Sequence, residues 1–102
     1  MPSAENLIDA VLEDSGLTLQ QLAAICAVEP EWVTKHIEDG LLNPLPQQQS
    51  EWRFSSAHLV RVRRIVSLER NFEAVPELAA LVADMQEEID ELRRRLRRAG
   101  LE

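Results

Sequence analysis

Few side chains in this sequence could do chemistry. Cys26 is the one thiol, and the histidines, His36 and His58, fall on separate segments without the close spacing of a zinc site. Cys26 sits in the apolar run Leu22-Ala23-Ala24-Ile25-Cys26-Ala27, which marks it as a buried small hydrophobe and not a nucleophile. Both histidines read as structural. The 3 glycines form no phosphate-binding loop. No Ser/His/Asp or Cys/His set is suggested, and the many carboxylates fall on helical solvent faces. The expectation is a non-enzyme with no cofactor and no metal. What remains is suited to gripping another macromolecule: two tryptophans, Trp32 and Trp52, an excess of acids, and the arginine run Arg93-Arg94-Arg95-Leu96-Arg97-Arg98.

Charge narrows the choice. The net charge is −7 over 102 residues. All of it lies in the first half, where Glu5, Asp9, Glu13, Asp14, Glu29, Glu31, Glu38 and Asp39 face Lys35 as the one base. In the second half acids and arginines balance. An acidic body repels phosphate backbones and attracts a basic protein surface, so DNA is an unexpected partner. At 45% apolar residues the chain supports one modest core. No apolar run has a membrane span's length. The start, Met1-Pro2-Ser3-Ala4-Glu5, lacks a signal peptide's basic and apolar regions, and one cysteine suits a reducing compartment. A cytoplasmic protein is expected.

The elements that must position these residues are mostly helical. Residues 1 to 16 form a weak amphipathic stretch through Leu7, Ile8, Val11 and Leu12. Thr18 is a candidate N-cap with Gln21 as its capping-box partner. Leu19, Leu22, Ala23, Ile25 and Cys26 then line one face of a short helix. Pro30 suits the first position of a second, whose inner face is Trp32, Val33, His36 and Ile37 and whose stop is Gly40. Two short helices and a tight turn make a helix-turn-helix. Pro44 and Pro46 exclude helix from the next segment, and Trp52-Arg53-Phe54 is extended, which predicts a small β-hairpin wing over residues 41 to 54. Ser55 or Ser56 caps a longer helix in which Leu59, Val62, Ile65, Val66 and Leu68-Glu69 repeat at helical spacing and Phe72 closes the face. Pro76 opens the last helix.

That last helix carries a heptad seam: Leu78, Val82, Met85, Ile89, Leu92 and Leu96, in steps of four and three. These residues are the candidate dimerisation contacts. Just after mid-helix, Glu87, Glu88, Asp90 and Glu91 precede the arginine run. The run could be a nucleic-acid patch or plain solvation. The preferred reading is dimer-specifying charge, because an acidic block followed by a basic block complements itself when two copies run antiparallel. Asp90–Arg94 and Glu91–Arg95 pairs would also support the helix locally. Each tryptophan fits either a core position or a partly exposed anchor.

The order helix-turn-helix, wing, long helix, dimer helix resembles the MerR-like family over residues 18 to about 98. Ile37-Glu38-Asp39-Gly40-Leu41-Leu42-Asn43-Pro44 is similar to that family's turn into the wing. Two departures matter. The second helix has Thr34-Lys35-His36 where MerR-type regulators place an Arg-Tyr-Tyr group, and the wing has Trp52 where they place an Arg. The Trp-x-Phe wing, the acidic second helix, Val75-Pro76-Glu77-Leu78-Ala79-Ala80-Leu81 and the acidic-then-basic tail together resemble one branch, the chaperone modulator CbpM family.

The resemblance implies a mostly α, MerR-like winged helix-turn-helix domain with an N-terminal extension over residues 1–74 and a dimerisation helix over 75–99. It implies a homodimer that binds the J-domain of a CbpA/DnaJ-like co-chaperone and restrains its work with Hsp70 (DnaK). The fitting contact surface is the second helix, with Glu31, Glu38 and Asp39 at a charged rim and Trp32 or Trp52 as anchor. The rival is that these acids only solvate the domain and a partner docks on the third helix or the N-terminal stretch. The competing functions are a DNA-binding regulator of the same fold and a structural dimerisation module.

Overall fold

A computed structural model describes residues 16–44 and 52–101. Their order is α1 (Leu19–Cys26), α2 (Pro30–Glu38), α3 (Ser56–Phe72) and α4 (Pro76–Arg98). The expected helix over the N-terminal stretch falls on residues 1–15, outside the described set.

Local chemistry sets the helix ends. The Thr18 hydroxyl accepts the Gln21 amide at 3.1 Å, and the Gln21 side chain accepts the Thr18 amide at 2.8 Å, which is the expected capping box. At the end of α2, Gly40 takes φ 77°, its N–H reaches the Ile37 carbonyl, and the Leu41 N–H reaches the His36 carbonyl. This is a Schellman turn with glycine in the left-handed position. Helix α1 ends the same way on Ala27, at φ 56°, a conformation that strains an L side chain. Ser55 caps α3, and His58 closes a reciprocal box by accepting the Ser55 amide on Nδ1 at 2.9 Å. That contact leaves His58 Nε2–H to donate to the Asn43 carbonyl at 2.9 Å, so this histidine ties α3 to the preceding loop.

Among the described residues there is no β-hairpin wing, contrary to expectation. The turn residues Gln47–Ser50 lie outside the described set. The extended segment pairs instead with the strand-like residue before α1: Leu17 and Phe54 exchange N–H···O bonds of 2.9 Å in one antiparallel bridge. Pro44 has no N–H to give a ladder and is buried, so this stretch serves packing. Gly16 stands at the close approach, where an added Cβ would lie 3.0 Å from the Phe54 carbonyl oxygen.

The core has two parts. Leu17, Leu22, Ala23, Cys26, Val33, Leu42, Trp52, Phe54, Leu59, Val62 and Val66 form the first. Ile65 of α3 with Ala79, Ala80 and Ala83 of α4 form the second. Trp32 packs against both. The three alanines let the α4 backbone lie close on α3, so the first half of α4 joins the packed body. Phe72 does not close the inner face of α3; it is 74% exposed beyond the helix's packed part.

Candidate protein-interaction surfaces

Helix α2 divides by its period. Val33 and His36 turn inward and are buried, while Glu31, Glu38 and Asp39 are exposed. Lys35 Nζ lies 3.3 Å from Asp39 Oδ1 and partly offsets that acid. A shallow groove of about 470 Å³ runs along this side, lined by Leu19, Pro30, Glu31, Thr34, Lys35 and Glu38.

Trp32 stands at the inner edge of that surface. Its ring stacks on His36 at 3.6 Å, and its Nε1–H donates to Glu69 Oε1 at 3.0 Å. His36 Nδ1–H donates to the Trp32 carbonyl at 2.7 Å, and His36 Nε2 lies 2.7 Å from Glu69 Oε2. With Nδ1 committed to a carbonyl, a proton must lie between Nε2 and Oε2, whichever group holds it. This network locks α2 to α3. Sequence reasoning placed Trp32 and His36 on one face of α2 and Leu68-Glu69 on the repeating face of α3, but gave Glu69 no role. Beside the network, Val28, Glu29, Trp32, Val66, Glu69 and Arg70 line much of a second groove of about 330 Å³. Trp32 is therefore half-buried at the border of the acidic face. Trp52, at 9% exposure, belongs to the first core cluster and presents no ring for a partner.

The second surface is the outer side of α4. Leu78, Met85, Ile89, Leu92 and Leu96 are each 43–56% exposed, and Val82 is half-buried. Leu81, 55% exposed, widens the strip. The seam thus lies on the opposite side from the alanines packed on α3.

Several charges beside the seam are paired within the chain. Arg61 of α3 donates to Asp84 at 2.8 Å, to Glu87 at 2.7 Å and to the Leu41 carbonyl at 3.0 Å. Burial alone would pull this guanidinium down, but the bonds to Glu87 and Asp84 outweigh it and hold Arg61 above its ordinary value. Arg64 donates to Asp90 at 2.7 Å, so Asp90 pairs across helices and not with Arg94. That bond holds the Asp90 carboxyl below its usual range. Glu91 meets Arg94 at 2.9 Å, Arg95 at 3.3 Å and Arg98 at 3.5 Å, and the Arg94 bond chiefly lowers its pKa. Of the two pairs read from spacing, Glu91–Arg95 is present and Asp90 meets Arg64 instead of Arg94. Among the described residues no group of three or more His, Cys, Asp or Glu could hold a metal ion. No helix among them is long and apolar enough to cross a membrane.

Comparison with known proteins fits this picture. The family model described as MerR HTH family regulatory protein matches residues 17–99. The chaperone modulatory protein CbpM of Pseudomonas entomophila (strain L48) is 30% identical over 77 residues, covering 76% of each chain. The chain belongs to the CbpM family. Its match to the broader MerR helix-turn-helix model runs from the Leu17 bridge to the end of α4, so the family likeness includes both surfaces described above. No solved structure matches this fold at a significant level.

Proposed function

We propose that this chain is a chaperone modulator that acts by binding and not by catalysis. Its partner is the J-domain of a DnaJ-like co-chaperone of the CbpA type, and occupying it keeps Hsp70 away. The observation that carries the reading is membership of the CbpM family, joined to an exposed acidic face on the helix that reads DNA in MerR-type regulators. J-domains present a basic helix to Hsp70, and the field of this half of the chain is complementary. Glu31, Glu38 and Asp39 form the charged rim, and Trp32 is the apolar anchor at its edge. Calorimetry with the cognate J-domain should show binding that weakens as salt rises and that excludes Hsp70. Reversing Glu31, Glu38 and Asp39 to lysine should weaken it by about 10-fold or more, chiefly through slower association. No binding at tens of micromolar would sink the function; binding indifferent to the reversal would sink only the surface.

The working form is a homodimer joined along α4, as the exposed seam supports. Ile89→Lys should leave helix content unchanged and give a monomer in sedimentation velocity at micromolar concentration.

The second reading, a DNA-binding regulator, is favoured by the MerR helix-turn-helix family match. Against it, α2 exposes Lys35 among Glu31, Glu38 and Asp39. Tight, sequence-selective DNA binding near physiological salt would reverse the ranking.

A further inference from the structure

His36 and His58 sit in hydrogen-bond networks that ask for different numbers of protons. His58 Nδ1 accepts the Ser55 amide and Nε2–H donates to the Asn43 carbonyl, so one ring proton satisfies it. His36, 4% exposed, is placed differently. Its Nδ1 faces the Trp32 carbonyl at 2.7 Å and its Nε2 faces Glu69 Oε2 at 2.7 Å. A carbonyl and a carboxylate both accept, so each ring nitrogen needs a proton. The other Glu69 oxygen accepts the Trp32 indole N–H at 3.0 Å, a bond that favours the ionised carboxylate. The His36 ring is also stacked on the Trp32 ring, with centroids 3.6 Å and planes 22° apart, where the negative indole face favours a cation.

Glu69 is the acid in contact with this ring, and the surrounding elements bring other charges only to its margins. The titratable group of α1 is the buried Cys26, whose thiol burial keeps neutral around pH 7. The α4 members of the cluster beside Trp32 are Ala79, Ala80 and Ala83, and the α4 acids Asp84 and Glu87 are held by Arg61. On α2, Lys35 pairs with Asp39 on the outer side. Glu29 and Arg70 line the groove next to the network, and Arg70 donates to the Ala27 carbonyl. If the ring proton leaves, the Nε2 lone pair and the Glu69 carboxylate face each other at 2.7 Å with no proton between them, and the contact must open.

We propose that this proton fastens α2 to α3: with His36 as an imidazolium the lock is closed, and loss of the proton frees Trp32 and the acidic face from their fixed placement. His36 and Glu69 are then positioning residues for the J-domain surface, a role that rests on the reading given under Proposed function. Above the ordinary histidine value, near pH ~6.5, the unfolded chain holds no such proton. Folding therefore takes one up, so the lock's contribution is complete below that pH and fades as pH rises beyond it.

Glu69→Gln separates the proton from the packing. The amide oxygen accepts the Trp32 N–H and the amide N–H donates to a bare Nε2, so the network closes without an added proton. In urea titrations this variant should be less stable than wild type at pH 6, and the difference should vanish or reverse by pH 9. A deficit equal at both pH values overturns the lock. The wild type supplies an independent count. Nitrogen-15 NMR at pH 7 should show His36 with protons on both ring nitrogens and His58 with one, and a bare Nε2 on His36 also overturns the lock. In calorimetry with the cognate J-domain, wild-type affinity relative to the variant should fall about threefold or more from pH 6 to pH 9, as the fraction with α2 held drops. A constant ratio overturns the positioning role. Absence of J-domain binding by both chains sinks the function proposed above, while the urea and NMR results still decide the lock.

Discussion

Glu69 carries two jobs that sequence inspection could not separate from ordinary solvation. Its carboxylate accepts from Trp32 Nε1 and meets His36 Nε2, while its own side chain is 19% exposed. Removing it leaves the ring nitrogens of half-buried Trp32 and buried His36 without this partner. Glu69→Leu should therefore lower unfolding free energy by about 2–3 kcal/mol in urea titrations, near the cost of stranding buried polar groups. A loss under ~0.5 kcal/mol would show that the network does not hold α2 in place. Cys26 makes a prediction of another kind. Burial pushes its thiol up, with Arg63 and Arg70 pulling weakly the other way. The folded value lies above the unfolded one, so the thiol's contribution is complete at neutral pH and is lost as pH rises past the ordinary thiol range. A thiol reagent at pH 7 should label the native chain slowly and the urea-unfolded chain fast. Residue roles that depend on contact across the chain, such as those of Glu69 and Trp52, were not legible. Trp52 is buried in a cluster that gathers residues from Leu17 to Val66, and no local pattern carries that information.

Helix boundaries were legible because their causes are local. Thr18 with Gln21, Pro30, Gly40 and Ser55 each act within one turn of chain, and each stands where the pattern put it. The wing expected from the sequence is not found among the described residues, because Phe54 pairs with Leu17, far upstream of the segment that looked like its hairpin partner. Ala27 offers a test of the cap chemistry. It holds φ 56° without glycine's freedom, so Ala27→Gly should raise stability by about 0.5–1 kcal/mol, read from the urea midpoint. An unchanged or lower midpoint would mean the backbone there is not strained. The bond between Arg64 and Asp90 predicts a pH effect at the scale of paired helices. Asp90 titrates below its ordinary value when folded, so its contribution is present above the normal aspartate range, near pH ~4, and fades as pH falls through it. Asp90→Asn should lower the melting temperature at pH 7, and the difference from the wild type should shrink as pH falls below the ordinary aspartate range.

At the scale of the whole molecule, α4 serves two masters. Its alanine side completes the core against Ile65, and its leucine side is exposed. Cutting the chain after Pro76 would therefore damage the fold as well as the seam, which makes point changes at Met85 or Ile89 the cleaner probe of assembly. The Leu17–Phe54 bridge has a consequence in time. Helices α3 and α4 are joined by the short link Glu73–Val75, so their contacts form with little loop entropy to overcome. The bridge closes a far longer loop and should come together after the folding barrier. Gly16→Ala, which presses on the Phe54 carbonyl, should then speed unfolding severalfold in stopped-flow kinetics and barely touch the folding rate, whereas Ile65→Ala in the α3–α4 contact should slow folding itself.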